Sequence, residues 1–200
     1  LELVSWSTGT DEQIAAMVAA YYDGSISLAD VKEVWSVGDV RTMHFNSMSM
    51  PDPNSSNTLA AQDIRIVILD FDHTELATPI NGKTKSLITV QTKEIMGPGG
   101  SWNGQDGSIY VNGDSSYDMS FTKWSSLYMR TYLNNTVLGA IPSGDFKSAI
   151  KQSKHNRLIT NGSSYKTTES VTDTLFLPSC PEVFGNVAYG NYLNNSTPAG

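Results

Sequence analysis

Asp70-Phe71-Asp72-His73 is the one place in this 200-residue chain where carboxylates and an imidazole cluster. Such a group could hold a divalent ion or move protons. In an extended strand Asp70 and Asp72 share a face while His73 points the other way, unless the strand has already turned. His44 and His155 lie far away in sequence and show no ligand spacing to the group. A solvated strand end is therefore the favoured reading, with Asp70, Asp72 and His73 as the candidate metal ligands. No cofactor is expected, and no nucleophile–base pair, zinc motif or pair of catalytic carboxylates stands out, so the chain is not expected to be an enzyme.

A second candidate is the Gly/Asn/Asp/Ser-rich run from Gly97 to Asp118, which carries Trp102, Tyr110 and Tyr117. Flat apolar rings beside small hydrogen-bonding residues are how many binding surfaces, sugar-binding ones included, are built. The competing and favoured reading is that these aromatics anchor a long loop to the body. The glycines make no phosphate loop, because no GK[ST] ending follows them. Lys147, Lys151, Lys154, His155 and Arg157 form the strongest positive patch, read as a solvated helix face ahead of a site for an anionic partner.

Composition narrows the classes. A hydrophobic fraction of 39% over this length can bury a core, which points to a single domain. A net charge of -7 argues against a general nucleic-acid binder, whose phosphate contacts need a basic surface. Cys180 is the single cysteine, so no disulfide can form within the chain, and a buried thiol is expected. No apolar run approaches the roughly 18 to 20 residues needed for a helical membrane span. Leu1 is not methionine and no signal-peptide pattern follows it, so the chain is expected to be processed or cut from a longer one.

The elements that would position these residues follow from spacing. Thr10 with Gln13 is a capping-box pair ahead of Ile14, Met17, Val18 and Tyr21, predicting a helix that ends at Gly24. Ser27 with Asp30, and Ile26 placed to pack on Val31, predict a second, short helix to about Val34. Val40 to Phe45 alternates as a half-buried strand, and Met50 to Leu59 is an exposed loop. Asp63 to Phe71 predicts a central strand buried on both faces. Asn81-Gly82 predicts a hairpin within residues 74–94. A helix is predicted from about Thr122 to Leu133, stopping at Asn134-Asn135, with Trp124, Leu127, Tyr128 and Tyr132 on one side. Ser143 is the predicted cap of a further helix carrying Phe146, Ala149 and Ile150 inward. Asn161 to Thr172 is read as polar loop, and Leu175-Phe176-Leu177 as a short buried strand. The sum is an α+β fold: a mixed, mostly antiparallel sheet with several short helices and long polar loops. Within one domain over 1–200, residues 1–34 form a helical portion, 35–185 the body and 186–200 a polar tail.

Several motifs occur in one order: Trp35-Ser36-Val37-Gly38-Asp39, Asp70-Phe71-Asp72-His73, Trp124 through Met129-Arg130, Leu133-Asn134, Ile141-Pro142, Lys147-Ser148-Ala149-Ile150-Lys151, Thr172-Asp173-Thr174-Leu175-Phe176-Leu177 and Glu182-Val183-Phe184-Gly185. That series resembles a domain family of unknown function from gut Firmicutes and their phages and prophages, seen in tail-region and cell-surface proteins. It spans residues from about Trp6 to Gly185. Members usually continue into a tryptophan-arginine-serine-proline type segment with C-type-lectin-like character, and this chain ends at Gly200 before any such segment. The resemblance implies a role class and no site residue. The expected role is a virion structural protein of a bacteriophage, a tail, fibre or capsid-surface component acting in assembly and host attachment. Its expected partners are other virion proteins, further copies of itself and a host-surface glycan. The alternative is a bacterial cell-surface or secreted glycan-binding module using Trp102, Tyr110 and Tyr117.

Overall fold

A computed structural model describes residues 1–50, 57–94, 121–122, 124–126, 128–161 and 164–177. Its fold is α+β, with the helices packed against antiparallel sheets. Helix α1 (Asp11–Asp23) opens with a complete capping box between Thr10 and Gln13 and ends at Gly24, whose φ of 87° is readily adopted only without a side chain. Helix α2 (Leu28–Val34) opens with the same device, Ser27 with Asp30. Ile26 packs against the core cluster that holds Val31.

Among the described residues ten strands follow in chain order. They are β1 (Val40–Phe45), β2 (Met48–Ser49), β3 (Thr58–Leu59), β4 (Gln62–Phe71), β5 (Glu75–Ile80), β6 (Lys83–Lys85), β7 (Ile88–Thr92), β8 (Phe121–Thr122), β9 (Ser153–Asn161) and β10 (Ser164–Asp173). They form a sheet in the order β1-β4-β7, a second in the order β10-β9-β5-β6 with β8 also on β9, and the small pair β2-β3. Strand β4 is central, as its apolar run predicts, but it is buried on one face only. Ile64, Ile66 and Ile68 are buried, whereas Leu69 is 44% exposed. Asn81 and Gly82 both take positive φ and close the β5–β6 hairpin. The chain then leaves that hairpin, and β7 pairs with β4 in the other sheet.

The second half departs further from the pattern read in the sequence. A 3-10 turn (Trp124–Ser126) leads into α3 (Tyr128–Thr131), a π-helical segment (Tyr132–Val137) and α4 (Leu138–Ala140). The helix thus runs through Asn134-Asn135 instead of stopping there, because the Asn134 side chain is engaged elsewhere, as described below. Helix α5 (Asp145–Ala149) is preceded by Gly144, not capped by Ser143, and its N-cap makes no side-chain hydrogen bond. The stretch read as loop from Asn161 to Thr172 holds a strand instead: β10 pairs antiparallel with β9 from Asp173↔Ser153 to Ser164↔Asn161, with a register shift between Tyr165 and Thr167. Its serines and threonines carry no apolar alternation, but β-branched threonine suits a pleated strand. Leu175 to Leu177 is not a strand, and Leu177 is 45% exposed.

Two apolar clusters meet on the inner face of the β1-β4-β7 sheet. One joins α1 and α2 to Trp6, Trp35, Ile66, Ile68, Leu76 and Leu87; the other joins Phe45 and Ile64 to Tyr132, Val137 and Ile141. Trp6 and Trp35 meet edge to face at 5.3 Å. The buried Arg41 guanidinium lies 5.1 Å over the Trp6 ring and 5.0 Å over Phe146, and pairs with Asp11 at 2.5 Å. Burial pulls the Arg41 pKa below its ordinary value, and Asp11 opposes that shift.

Candidate functional site

The most extensive set of buried polar contacts among the described residues centres on Asp173, which is 1% exposed at the end of β10. Trp124 Nε1 donates to its Oδ2 at 2.6 Å, and Arg130 Nε donates to its Oδ1 at 2.7 Å. Arg130 also donates to the Thr172 carbonyl at 3.1 Å. Asn134 closes the arrangement: its Oδ1 accepts from the Thr174 and Leu175 amides at 2.8 and 3.1 Å, and its Nδ2 donates to the Leu175 carbonyl at 2.8 Å. Trp124, Arg130 and Asn134 thus act together as a clamp on the chain leaving β10. A carboxylate so surrounded by donors has its charge and lone pairs satisfied, which is how a buried charge is tolerated.

Beside it, Ser153 Oγ lies 2.7 Å from His155 Nε2, a separation typical of a nucleophile and its base. The sequence reading missed this pair, because residues two apart on one face of a strand give no motif. Ser153 Oγ also lies 3.1 Å from the Asp173 carbonyl, so two acceptors face its one hydrogen, and which nitrogen of His155 carries the proton sets whether Ser153 donates to Nε2 or accepts from it. Both side chains are buried, and the His155 ring lies 3.8 Å from the Phe176 ring, tilted by 43°. The arrangement ties the start of β9 to the end of β10.

Thr174 and Leu175, which Asn134 holds, line an apolar cleft of about 370 Å³ between the β1-β4-β7 sheet and the second half of the chain. Met43, Ile66, Val90, Leu133, Leu175 and Leu177 are among the residues lining it. Trp6 Nε1 and Ser86 Oγ, on residues of the same lining, have no hydrogen-bond partner among the described residues. Leu69, Val90 and Leu177, all lining the cleft, are 44%, 39% and 45% exposed, so its mouth is apolar as well as its floor.

The residues singled out in the sequence lie elsewhere. Asp70 Oδ1 accepts from the Phe71 amide at 2.7 Å, and Asp72, with φ of 50°, turns the chain out of β4. Asp70, Asp72 and His73 are exposed, and no group of His, Cys, Asp and Glu side chains among the described residues is arranged to hold a metal ion. Trp102, Tyr110, Tyr117 and Cys180 fall outside the described residues. The basic patch is dispersed: Lys147 caps the Ile141 carbonyl at 2.9 Å, Lys151 caps the Ser148 carbonyl at 3.0 Å, Lys154 faces Glu75 at 3.6 Å, and His155 and Arg157 are buried. No helix among the described residues is long and apolar enough to cross a membrane. Comparison with known proteins finds no matching protein family, no matching curated protein and no matching solved structure.

Proposed function

We propose that this chain is a non-enzymatic structural protein of a bacteriophage virion, a component of the tail, the fibre or the capsid surface that also takes part in host attachment. The observation that carries the reading is the apolar cleft with its exposed apolar rim. Such a surface offers packing area to another polypeptide and little to a polar substrate. The buried polar groups nearest to it, Asp173, Arg130, Asn134, Ser153 and His155, are engaged in holding strands and helix together. The ordered motif series supports placing the protein on a phage particle, and the C-type-lectin-like kinship in this proposal rests on that series alone. Its partners are other virion proteins and further copies of the chain, with a host-surface glycan as the attachment target.

The test is to purify particles released from a host that carries the gene and to search them for this chain by mass spectrometry. Stoichiometric recovery with the particles is expected. Recovery only from the cell surface or the medium, together with sugar binding lost on Trp102→Ala, would replace the reading with a glycan-binding module.

A further inference from the structure

Strand β7 is an edge of its sheet among the described residues. It pairs with β4 on one side, and no described strand pairs with the other. The Lys93 amide donates to the Arg65 carbonyl at 2.8 Å, which directs the backbone groups of Lys93 and Gln91 toward β4. The N–H and C=O groups of Ile88, Val90 and Thr92 therefore point away from the sheet. An exposed edge of this kind is a template for another strand, and proteins usually protect it with charge, proline or a bulge. The edge strand β6 carries such protection in Lys83 and Lys85. The Ile88-Thr89-Val90-Gln91-Thr92 edge has no charge and no proline. All five of its residues line the apolar cleft, and Val90 is 39% exposed on the same face as Ile68.

We propose that the β7 edge is the interface for a second copy of this chain, paired antiparallel about a two-fold axis through Val90. The strand is self-complementary in that register. Val90 lies opposite Val90 of the partner subunit, and Ile88 lies opposite Thr92 of the partner subunit. Each outward-facing residue then meets another outward-facing residue, as a hydrogen-bonded antiparallel pair requires. No charge faces a like charge, since Lys93 lies opposite Leu87 of the partner subunit. The β1-β4-β7 sheet becomes one continuous sheet across the axis. The two-fold is perpendicular to that sheet, so both clefts lie on its same side, and the exposed Val90 and Leu177 of both copies are covered together. A closed pair of this type consumes the open edge and forms no filament.

This pairing rests on the reading of the chain as an assembly component, but its test is made on the isolated protein. Sedimentation velocity across a range of concentrations is expected to show a dimer, with the Ile88, Val90 and Thr92 amides protected from hydrogen exchange. Val90→Lys sets two ammonium groups side by side at the axis and is expected to raise the dimer dissociation constant by roughly 100-fold or more. The conservative Val90→Thr should stay dimeric, and an unchanged circular dichroism spectrum of the lysine variant shows that it folds. A monomer at every concentration overturns the proposal, as does a dimer indifferent to Val90→Lys. A monomer whose Ile88, Val90 and Thr92 amides are nonetheless protected also overturns it, and assigns the edge to another segment of this chain. A dimer absent from purified particles would retain this interface and remove only the virion role.

Discussion

Replacing Asp173 by alanine removes the acceptor on which Trp124 and Arg130 converge. In the folded protein Trp124 Nε1 and Arg130 Nε reach the carboxylate at 2.6 and 2.7 Å, and Asp173 is 1% exposed. The variant leaves the Trp124 N–H without its acceptor and the Arg130 charge, itself 29% exposed, without its counterion. Breaking a buried pair by deleting one partner costs about 3–5 kcal/mol, because the remaining group stays desolvated. At roughly 2–4 °C per kcal/mol for a chain of this size, the Tm should fall by about 6–20 °C. Asp173→Asn keeps an oxygen for one donor and removes only the charge, so it should cost less, about 1–3 kcal/mol. The assay is urea unfolding followed by tryptophan fluorescence, with the midpoint compared at constant slope. If Asp173→Ala shifts stability by less than about 1 kcal/mol, or no more than Asp173→Asn does, the clamp does not hold the end of β10 as argued.

Trp124→Ala should cost about 3–5 kcal/mol, since it removes a buried ring as well as the donor to Asp173, and near-normal thermal stability would contradict the packing of this turn. Tyr22→Phe deletes the hydroxyl that accepts from the Leu87 amide at 3.1 Å, leaving a buried N–H unpaired; a loss of about 1–3 kcal/mol in denaturant midpoint is expected. Hydrogen bonds from Ser27, side chain and backbone, hold the Asp30 pKa below the ordinary 3.8. Its contribution is therefore present above the unfolded value and is lost as pH falls through the depressed folded value. Asp30→Asn should remove that part of the acid limb from a plot of Tm against pH and leave the neutral-to-alkaline limb unchanged in shape.

Much of the N-terminal half was legible because its signals are local. The capping boxes at Thr10 and Ser27, the apolar spacing of Ile14, Met17, Val18 and Tyr21, and the Asn81-Gly82 turn each involve residues a few positions apart. Hydrogen bonds and sterics at that range act before tertiary contacts form. The second half was not legible in the same way. Asn134 read as a helix stop, yet its amide is bound to Thr174 and Leu175, and the helix continues past it as a π segment. The strands β9 and β10 carry few apolar signals, and their pairing is supported by contacts from residues distant in sequence, such as those of Ser125 with Glu169.

The candidate site divides along the same line. By itself the sequence determined an α+β fold, a net charge of -7, and the α1 and α2 helices with their capped starts, because composition and short-range spacing are sufficient for each. The tertiary structure alone decided that Asp173 is buried among Trp124, Arg130 and Asn134, and that the lysines of the basic stretch are spent on carbonyls and on Glu75. It likewise decided that β7 pairs with β4 in another sheet and not with the β5–β6 hairpin, as an edge strand among the described residues, beside an apolar cleft. Those outcomes depend on which strand lies beside which, and that is set by burial of the whole core, not by any stretch of neighbouring residues.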